Sequence, residues 1–425
     1  MTLVHPRDQI TKIISRIYKR GMTTTSGGNI SIIDENGDIW VTPSAIDKGS
    51  LRASDIVCVK KDGSVIGKHK PSSEFPFHKA IYRVRPDIKS IIHAHPPALV
   101  SFSIVRKIPN TNVISQAKHI CGPIGYAKYE LPGSEKLGEV IAQEFKKGFK
   151  AVIMENHGTV LGGSCLDDAF QRFEALELSA CTISYGSQIG EPKYLTDLQI
   201  QEFESQVPAL RPEMDGTTHP SDEREKRLKI CKIVQRACEQ GLMIGSYGTV
   251  SIRWRGNDFL ITPTNRNRWN ISIEDIVQIK DGKREKGKIP SRATWIHQEI
   301  YKKYPKVNSI IMTQPPYLMA FAVTRKYLDV RTIPESWIFL QDIPSLSYGS
   351  HFKTNKNQEV ILNNTTAVII ENDSVMVTGD ELLQTFDYLE VAEFSAKSLV
   401  MGASLGEMIP IDDIQVEDLR RKFLQ

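Results

Sequence analysis

The chain is one pattern written twice. Gly28-Asn29-Ile30-Ser31-Ile32 returns as Gly248-Thr249-Val250-Ser251-Ile252, and Val41-Thr42-Pro43-Ser44 as Ile261-Thr262-Pro263-Thr264. Ser54-Asp55-Ile56-Val57 matches Glu274-Asp275-Ile276-Val277, Pro71-Ser72-Ser73-Glu74 matches Pro290-Ser291-Arg292-Ala293, and Glu155-Asn156-His157 matches Glu371-Asn372-Asp373. The separation stays between 216 and 220 residues throughout. A repeat of that length is a duplicated domain, because solenoid units are far shorter. The chain therefore divides into two domains of roughly 200 residues, each long enough to bury a core. Between them, Gln206 to Arg224 is rich in Pro, Gly and small polar residues and breaks the apolar periodicity, which is linker composition. The expected domains are residues 1–210 and 221–425.

Each half reads as mixed α and β. Ile10, Ile13, Ile14 and Ile17 give helical spacing over residues 9–20. Strands are expected over 29–33 and 39–42 about the Asp34-Glu35-Asn36-Gly37 turn, and over 56–60, 88–95 and 151–154. Helices are expected over 73–85, 98–105, 135–145 and from 166 to about 185. A sheet covered by helices on both faces follows, and hairpin-linked strands make it mainly antiparallel. The fold class is α/β, as two tandem α/β/α sandwiches.

The two copies differ where chemistry would sit. Ile91-Ile92-His93-Ala94-His95-Pro96-Pro97 becomes Ile310-Ile311-Met312-Thr313-Gln314-Pro315-Pro316. The strand keeps its apolar entry and its proline exit and loses both imidazoles. His93 and His95 lie at i and i+2, which places them on one face of a strand. His157 follows a second buried strand, with Gly158 expected to supply the sharp exit. Three imidazoles with an open position suit Zn²⁺ or a similar divalent ion. Histidines kept for packing have no reason to vanish as a set, yet all three change, to Met312, Gln314 and Asp373. Glu74 changes with them, to Ala293, while its helix persists. Glu74 is thus the candidate acid/base, one residue inside a helix opened by Ser72-Ser73 with Pro76 in its first turn. The same helix start can hold an anion. Gly27-Gly28-Asn29 and the Ser44-Ala45 turn could complete a phosphate cradle with it.

Composition excludes other classes. Hydrophobic residues make up 40% and charged residues 24%, with a net charge of +4 and no basic run, which argues against nucleic-acid binding. No apolar run approaches the ~20 residues of a membrane span. Residues 1–7 lack an apolar signal core, and the six cysteines form no C-x-x-C pair, so a cytoplasmic protein with free thiols is expected.

These motifs resemble the class II aldolase/adducin family, and within it the L-fuculose-phosphate aldolase type. The resemblance rests on Ser-Gly-Gly-Asn-Ile-Ser (26–31), Thr-Pro-Ser (42–44), Lys-Pro-Ser-Ser-Glu (70–74), His-Ala-His-Pro (93–96), Tyr-x-x-Pro-Gly-Ser (129–134) and Glu-Asn-His-Gly (155–158), in family order. The second half resembles the same family with these positions replaced. The resemblance implies a divalent metal, usually zinc but also Mn²⁺, Co²⁺ or Fe²⁺, on His93, His95 and His157. Glu74 would be a fourth ligand that swings away to move protons. Gly28, Asn29, Ser44, Ser72 and Ser73 would bind a substrate phosphate. Two positions depart from the pattern: Val113 stands where the aldolases carry an aldehyde-side tyrosine, with Lys118 and His119 nearby, and Ala45 stands where they commonly have glycine.

The expected function is metal-dependent cleavage of a C–C bond in a small ketose phosphate through an enediolate. Decarboxylation of a 3-oxo-tetronate 4-phosphate is the alternative, since it needs no aldehyde-side tyrosine. A non-catalytic adducin-like module is a third. The resemblance also implies rings of four domains, here supplied by a homodimer of alternating active and inactive copies. Arg292, Thr264 and Asn265 leave an anionic effector as another role for the second half.

Overall fold

The computed structural model describes residues 4–206, 211–215, 219–352 and 365–424, so 207–210 and 216–218 of the expected linker lie outside the described residues. Clustered contacts divide the chain into unit 1 (Met1–Thr111 with Ala117–Cys181) and unit 2 (Asn112–Gln116 with Thr182–Gln425). Two pieces of the first repeat therefore belong to unit 2.

The first repeat carries strands β1 (Asn29–Ile33), β2 (Ile39–Val41), β3 (Val57–Val59), β4 (Val65–Ile66), β5 (Ser90–Ala94), β6 (Ile124–Ala127), β7 (Ala151–Met154) and β8 (Gly158–Gly163). They form one sheet of eight in the order β4-β3-β2-β1-β5-β8-β7-β6. Every pairing is antiparallel except β6 with β7. Its helices are α1 (Pro6–Lys19), α2 (Phe75–Val84), α3 (Pro97–Ile104), α4 (Ser115–Cys121), α5 (Glu135–Lys146), α6 (Leu166–Ile189) and α7 (Asp197–Ser205). The sequence reading missed β4, β6, β8, α4 and α7, which are short or lack a clean period.

The isoleucine spacing at 10, 13, 14 and 17 buries one stripe of α1. On the α2/α5 side of the sheet, Phe77, Ile81, Ile91, Ile141, Phe145 and Val152 pack as one buried cluster. Each contributes roughly 1.5–3 kcal/mol by leaving water. β5 lies in the middle of the sheet, so the histidine segment emerges from the best-supported strand. Beyond it, Glu177 of α6 accepts hydrogen bonds from the Ala98 and Leu99 amides at 3.3 and 3.1 Å. That carboxylate caps the α3 start and ties down the chain directly after His95.

The second repeat follows the same plan. It comprises α8 (Ser221–Glu239), β9 (Thr249–Arg255), β10 (Asp258–Ile261), β11 (Val277–Lys280), β12 (Lys283–Arg284), α9 (Thr294–Lys303), β13 (Ser309–Thr313), α10 (Pro316–Thr324), α11 (Pro334–Leu340), β14 (Ser345–Leu346), β15 (Ala367–Ile370), β16 (Ser374–Gly379), α12 (Leu382–Gly402) and α13 (Asp413–Phe423). The sheet order β12-β11-β10-β9-β13-β16-β15-β14 repeats the first. Glu393 repeats the cap of Glu177, accepting from the Tyr317 and Leu318 amides at 3.0 and 2.8 Å.

Candidate metal centre

Three distant segments bring imidazoles together in unit 1. His93 lies next to the end of β5 and is fully buried, His95 lies just past the strand, and His157 lies in the β7–β8 turn. Ring centroids stand 4.7 Å (His93–His95), 4.9 Å (His93–His157) and 5.2 Å (His95–His157) apart. One nitrogen of each lies within 4.8 Å of the others, and among the described residues this is the group of His, Cys, Asp or Glu side chains placed to hold an ion.

The turn chemistry differs from expectation. The left-handed residue between β7 and β8 is Asn156, with φ 53°, rather than Gly158. Gly158 is needed for another reason: a Cβ there would stand 2.6 Å from the Ala94 carbonyl oxygen and 2.7 Å from His95 Cδ2. Gly27 closes the other side, with a Cβ position 2.9 Å from His95 Nδ1. His95 thus occupies a slot between two glycines.

The tautomer of His93 follows from its partner. Its Nδ1 lies 3.0 Å from the Thr159 carbonyl oxygen, which can only accept, so Nδ1 carries the proton and Nε2 presents a lone pair. The Nε2 atoms of His93 and His95 are buried without a hydrogen-bond partner. Burial, followed by the charges of His93 and His157, pushes His95 down to about 3. Burial and then the His93 charge push His157 down to about 4. His95 and His157 are thus held neutral by burial, whereas against the pull of its burial Glu74 raises His93. Three imidazoles beside a carboxylate, two of them with buried and unpartnered Nε2 atoms, are a donor set for a divalent ion, so the residues fit that group.

Glu74 closes the cluster, 3.2 Å from His93 Nε2 and 3.3 Å from His157 Nε2. It does not lie inside α2 as expected. It is the N-cap residue, with φ −95° and ψ 10°, and α2 starts at Phe75. Ser72 Oγ accepts from the Glu74 amide at 3.3 Å, in the turn just ahead of the helix. From the cap position the Glu74 carboxylate reaches the cluster, with the side chain only 12% exposed. Burial works to raise its pKa, but His93, His157 and Asn29 together hold it well below the usual carboxylate range.

Around it, Gly28 is buried with φ 70°, and a Cβ there would meet the His93 carbonyl oxygen at 2.9 Å. Ser73 is exposed, and Ser44 is half-buried with its amide donated to the Lys70 carbonyl. Asn29, expected in the phosphate cradle, has both side-chain polar atoms engaged: Nδ2 donates to Glu74 Oε2 at 2.8 Å, and Oδ1 lies 2.5 Å from His78 Nε2. The sequence reading missed His78 and Tyr82. Their signal was Glu74, His78 and Tyr82 at successive intervals of four, one stripe of a helix.

The same place in unit 2 is filled by apolar packing and internal polar contacts, with Asp373 buried beside His351 and Ser374. Met312 joins the apolar cluster of Phe259, Ile296 and Ile300, against which Ala293 packs. Gln314 Nε2 donates to the Gln116 side chain at 2.9 Å, and Asn372 Nδ2 donates to the Val113 and Lys193 carbonyls at 3.0 and 2.8 Å. The Arg292 guanidinium lies 4.1 Å over the Phe203 ring and donates to its carbonyl oxygen at 2.6 Å. Segments 112–116 and 193–203 thus cover the altered site, with Ile200 and Phe203 of α7 buried. Arg292, expected to face an anionic effector, is engaged within the protein. Val113 is likewise buried in unit 2.

Fold and site together define a duplicated α/β/α-sandwich protein with a histidine–carboxylate cluster in one copy. The sequence profile of the Class II Aldolase and Adducin N-terminal domain matches residues 8–183 and again 228–400, so the chain belongs to this family in both halves. A 3-oxo-tetronate 4-phosphate decarboxylase of Haemophilus influenzae is 30% identical over 209 residues, 48% of this chain and 99% of that one. An L-fuculose phosphate aldolase of Methanocaldococcus jannaschii is 37% identical over 174 residues, 41% of this chain and 93% of that one. Among solved structures, an L-fuculose 1-phosphate aldolase is similar at 29% identity and a TM-score of 0.43, covering 47% of this chain and 95% of that one.

Proposed function

We propose that the first domain (1–210) is a divalent-metal-dependent lyase that breaks a C–C bond of a small ketose phosphate through an enediolate, and that the second (221–425) is its non-catalytic copy. The observation that carries this is the convergence of His93, His95, His157 and Glu74 in one copy and their joint replacement in the other, by the packed Met312 and Ala293 and by Gln314 and Asp373, which bond within the protein. His93, His95 and His157 would hold the ion, zinc first among the candidates, with Glu74 beside them as a further ligand. When bound, the ion supplies Lewis-acid stabilisation of negative charge developing on the substrate oxygens. Glu74 moves the proton between enediolate carbon and solvent, which its partly exposed position beside the cluster allows. Gly28, Ser44, Ser72 and Ser73 form the proposed phosphate cradle, with Asn29 redirected as argued below.

Decarboxylation of a 3-oxo-tetronate 4-phosphate is the second reading. It is favoured by Val113, which has no hydroxyl and lies buried in unit 2. That reaction releases CO₂ and leaves the same kind of enediolate for Glu74 to protonate. Incubation with L-fuculose 1-phosphate and with 3-oxo-tetronate 4-phosphate, scored for aldehyde against CO₂, separates the two. Ion removal by a chelator is expected to abolish either activity. Stoichiometric absence of metal from active protein would exclude both, and protein that binds no metal and turns over neither substrate would be an adducin-like module.

The proposed partner is a second copy of the chain. α7 and α13 are counterparts: Thr196 with Gln199, and Asp412 with Gln415, form equivalent capping boxes. α7 is docked by its apolar face, whereas α13 buries no residue and leaves Ile414 and Phe423 77% and 53% exposed. A homodimer in a ring of four domains would give α13 a place. A solution mass of one chain with full activity would exclude it. No described helix is long and apolar enough to cross a membrane. None of the six cysteines is in a disulfide, which suits the proposed cytoplasmic location.

A further inference from the structure

A buried polar chain runs behind Glu74. Tyr82 OH lies 2.8 Å from Ser31 Oγ, Ser31 Oγ 2.7 Å from His78 Nδ1, His78 Nε2 2.5 Å from Asn29 Oδ1, and Asn29 Nδ2 2.8 Å from Glu74 Oε2. The directions are determined from the carboxylate end. An ionised carboxylate only accepts, so Asn29 turns its NH₂ to Glu74 and its oxygen to His78. His78 Nε2 must then carry the proton, Nδ1 accepts from Ser31, and Ser31 accepts from Tyr82. Each group has one arrangement that satisfies its neighbour, and the Asn29 amide cannot flip without breaking two bonds.

The second repeat shows which part serves the fold and which serves Glu74. Ser251, His297 and Tyr301 keep the triad, at 2.7 Å for both contacts. Asn29 and Glu74 have become Thr249 and Ala293. Thr249 bonds Ser291 at 2.6 Å instead, and His297 Nε2 is buried without a partner. The triad persists without its asparagine and leaves that nitrogen unbonded, whereas in the first repeat Asn29 fills the position and reaches Glu74.

We propose that Asn29, locked by His78, is the positioning residue that holds the Glu74 carboxylate against the histidine cluster. This rests on the reading of Glu74 as the proton-transfer group. Nδ2 of Asn29 donates to Glu74 Oε2, and the other polar neighbours of the carboxylate are the imidazoles of His93 and His157 at 3.2 and 3.3 Å. Asn29 Nδ2 is a donor that ion binding leaves in place, because the ion claims the imidazole nitrogens. Asn29 therefore sets where Glu74 rests when it leaves the ion.

The test is Asn29→Thr in the full chain, a substitution the second repeat already tolerates at Thr249, beside Glu74→Gln. Selective ¹⁵N-histidine labelling of the metal-free protein should show His78 as the Nε2–H tautomer with a slowly exchanging proton, and N29T should lose that protection. A crystal structure of N29T should show the Glu74 carboxylate displaced. With whichever phosphate is turned over, kcat should fall about 10- to 100-fold at unchanged KM and metal content. A rise in KM with kcat retained would make Asn29 a phosphate ligand and overturn the proposal. So would an unmoved Glu74 with wild-type kcat, or a His78 Nδ1–H tautomer. If E74Q retains full turnover, the reading of Glu74 itself fails. If E74Q is inactive and N29T is unaffected, the positioning role fails alone.

Discussion

Gly158 and the His95 ring are in contact so close that no Cβ fits between them, the virtual atom standing 2.7 Å from His95 Cδ2. The first prediction follows. Gly158→Ala must displace His95 or the Ala94 carbonyl, since the latter is only 2.6 Å away. Overpacking of this kind costs about 1–3 kcal/mol. Metal content per chain, read by atomic emission, is expected to fall well below that of the parent, with a lower urea midpoint. Full loading of the variant would show that the slot does not set the ring.

Ala45 adopts φ 55°, a conformation that disfavours a Cβ. Its counterpart Asn265 does the same at φ 52°, with a residue type that tolerates it. Ala45→Gly removes the clash and adds unfolded-state entropy, for a net gain of about 0.5–1 kcal/mol. Urea unfolding should show the higher midpoint.

Glu177 and Glu393 are pushed up by burial, to about 7 and about 8, against the opposing pull of the amides they cap. The unfolded chain releases these protons near the ordinary carboxylate value, so between that value and about 7 to 8 the folded state binds more protons. Stability therefore falls as pH rises through this window and levels off above it. Below about pH 6.5 the depressed His95 and His157 pull the other way, so the decline is read as a difference. The urea midpoint of the parent relative to the E177Q/E393Q double variant, in which glutamine does not titrate, should fall from about pH 5 to 8.5.

Asn372 and Asn156 occupy equivalent turns at φ 54° and 53°. Asn372 is fully buried with its amide on two carbonyls, whereas Asn156 is exposed. Asn372→Asp loses the donor and sets a buried charge against carbonyl oxygens, at a cost of about 3 kcal/mol or more. Asn156→Asp keeps the turn and should change unfolding by less than about 0.5 kcal/mol. Equal losses in the two variants, measured by urea unfolding, would contradict the docked role of segments 112–116 and 193–203.

Much of the fold was legible because its signals are local or periodic. The α1 stripe, the hairpin at Asp34–Gly37 and the buried β5 and β7 strands each follow from residue spacing. The candidate ion-binding residues were legible by another route, since a second copy without them acts as an internal control. His78 was passed over although its interval of four from Glu74 and Tyr82 was visible. A lone histidine on an apolar helix face carries no information until its partner Asn29, 49 residues away, is placed beside it.

The sequence by itself determined the duplication, the α/β class and the set of residues erased from the second copy, because these are properties of register and residue type along one dimension. Only the tertiary structure decided that Glu74 is a cap rather than a helix residue, that Asn29 serves a carboxylate, and that α7 covers the altered site. Those facts depend on which groups from distant segments satisfy one another once water is excluded. A buried donor takes the acceptor that the packing brings to it, and no local pattern encodes that choice.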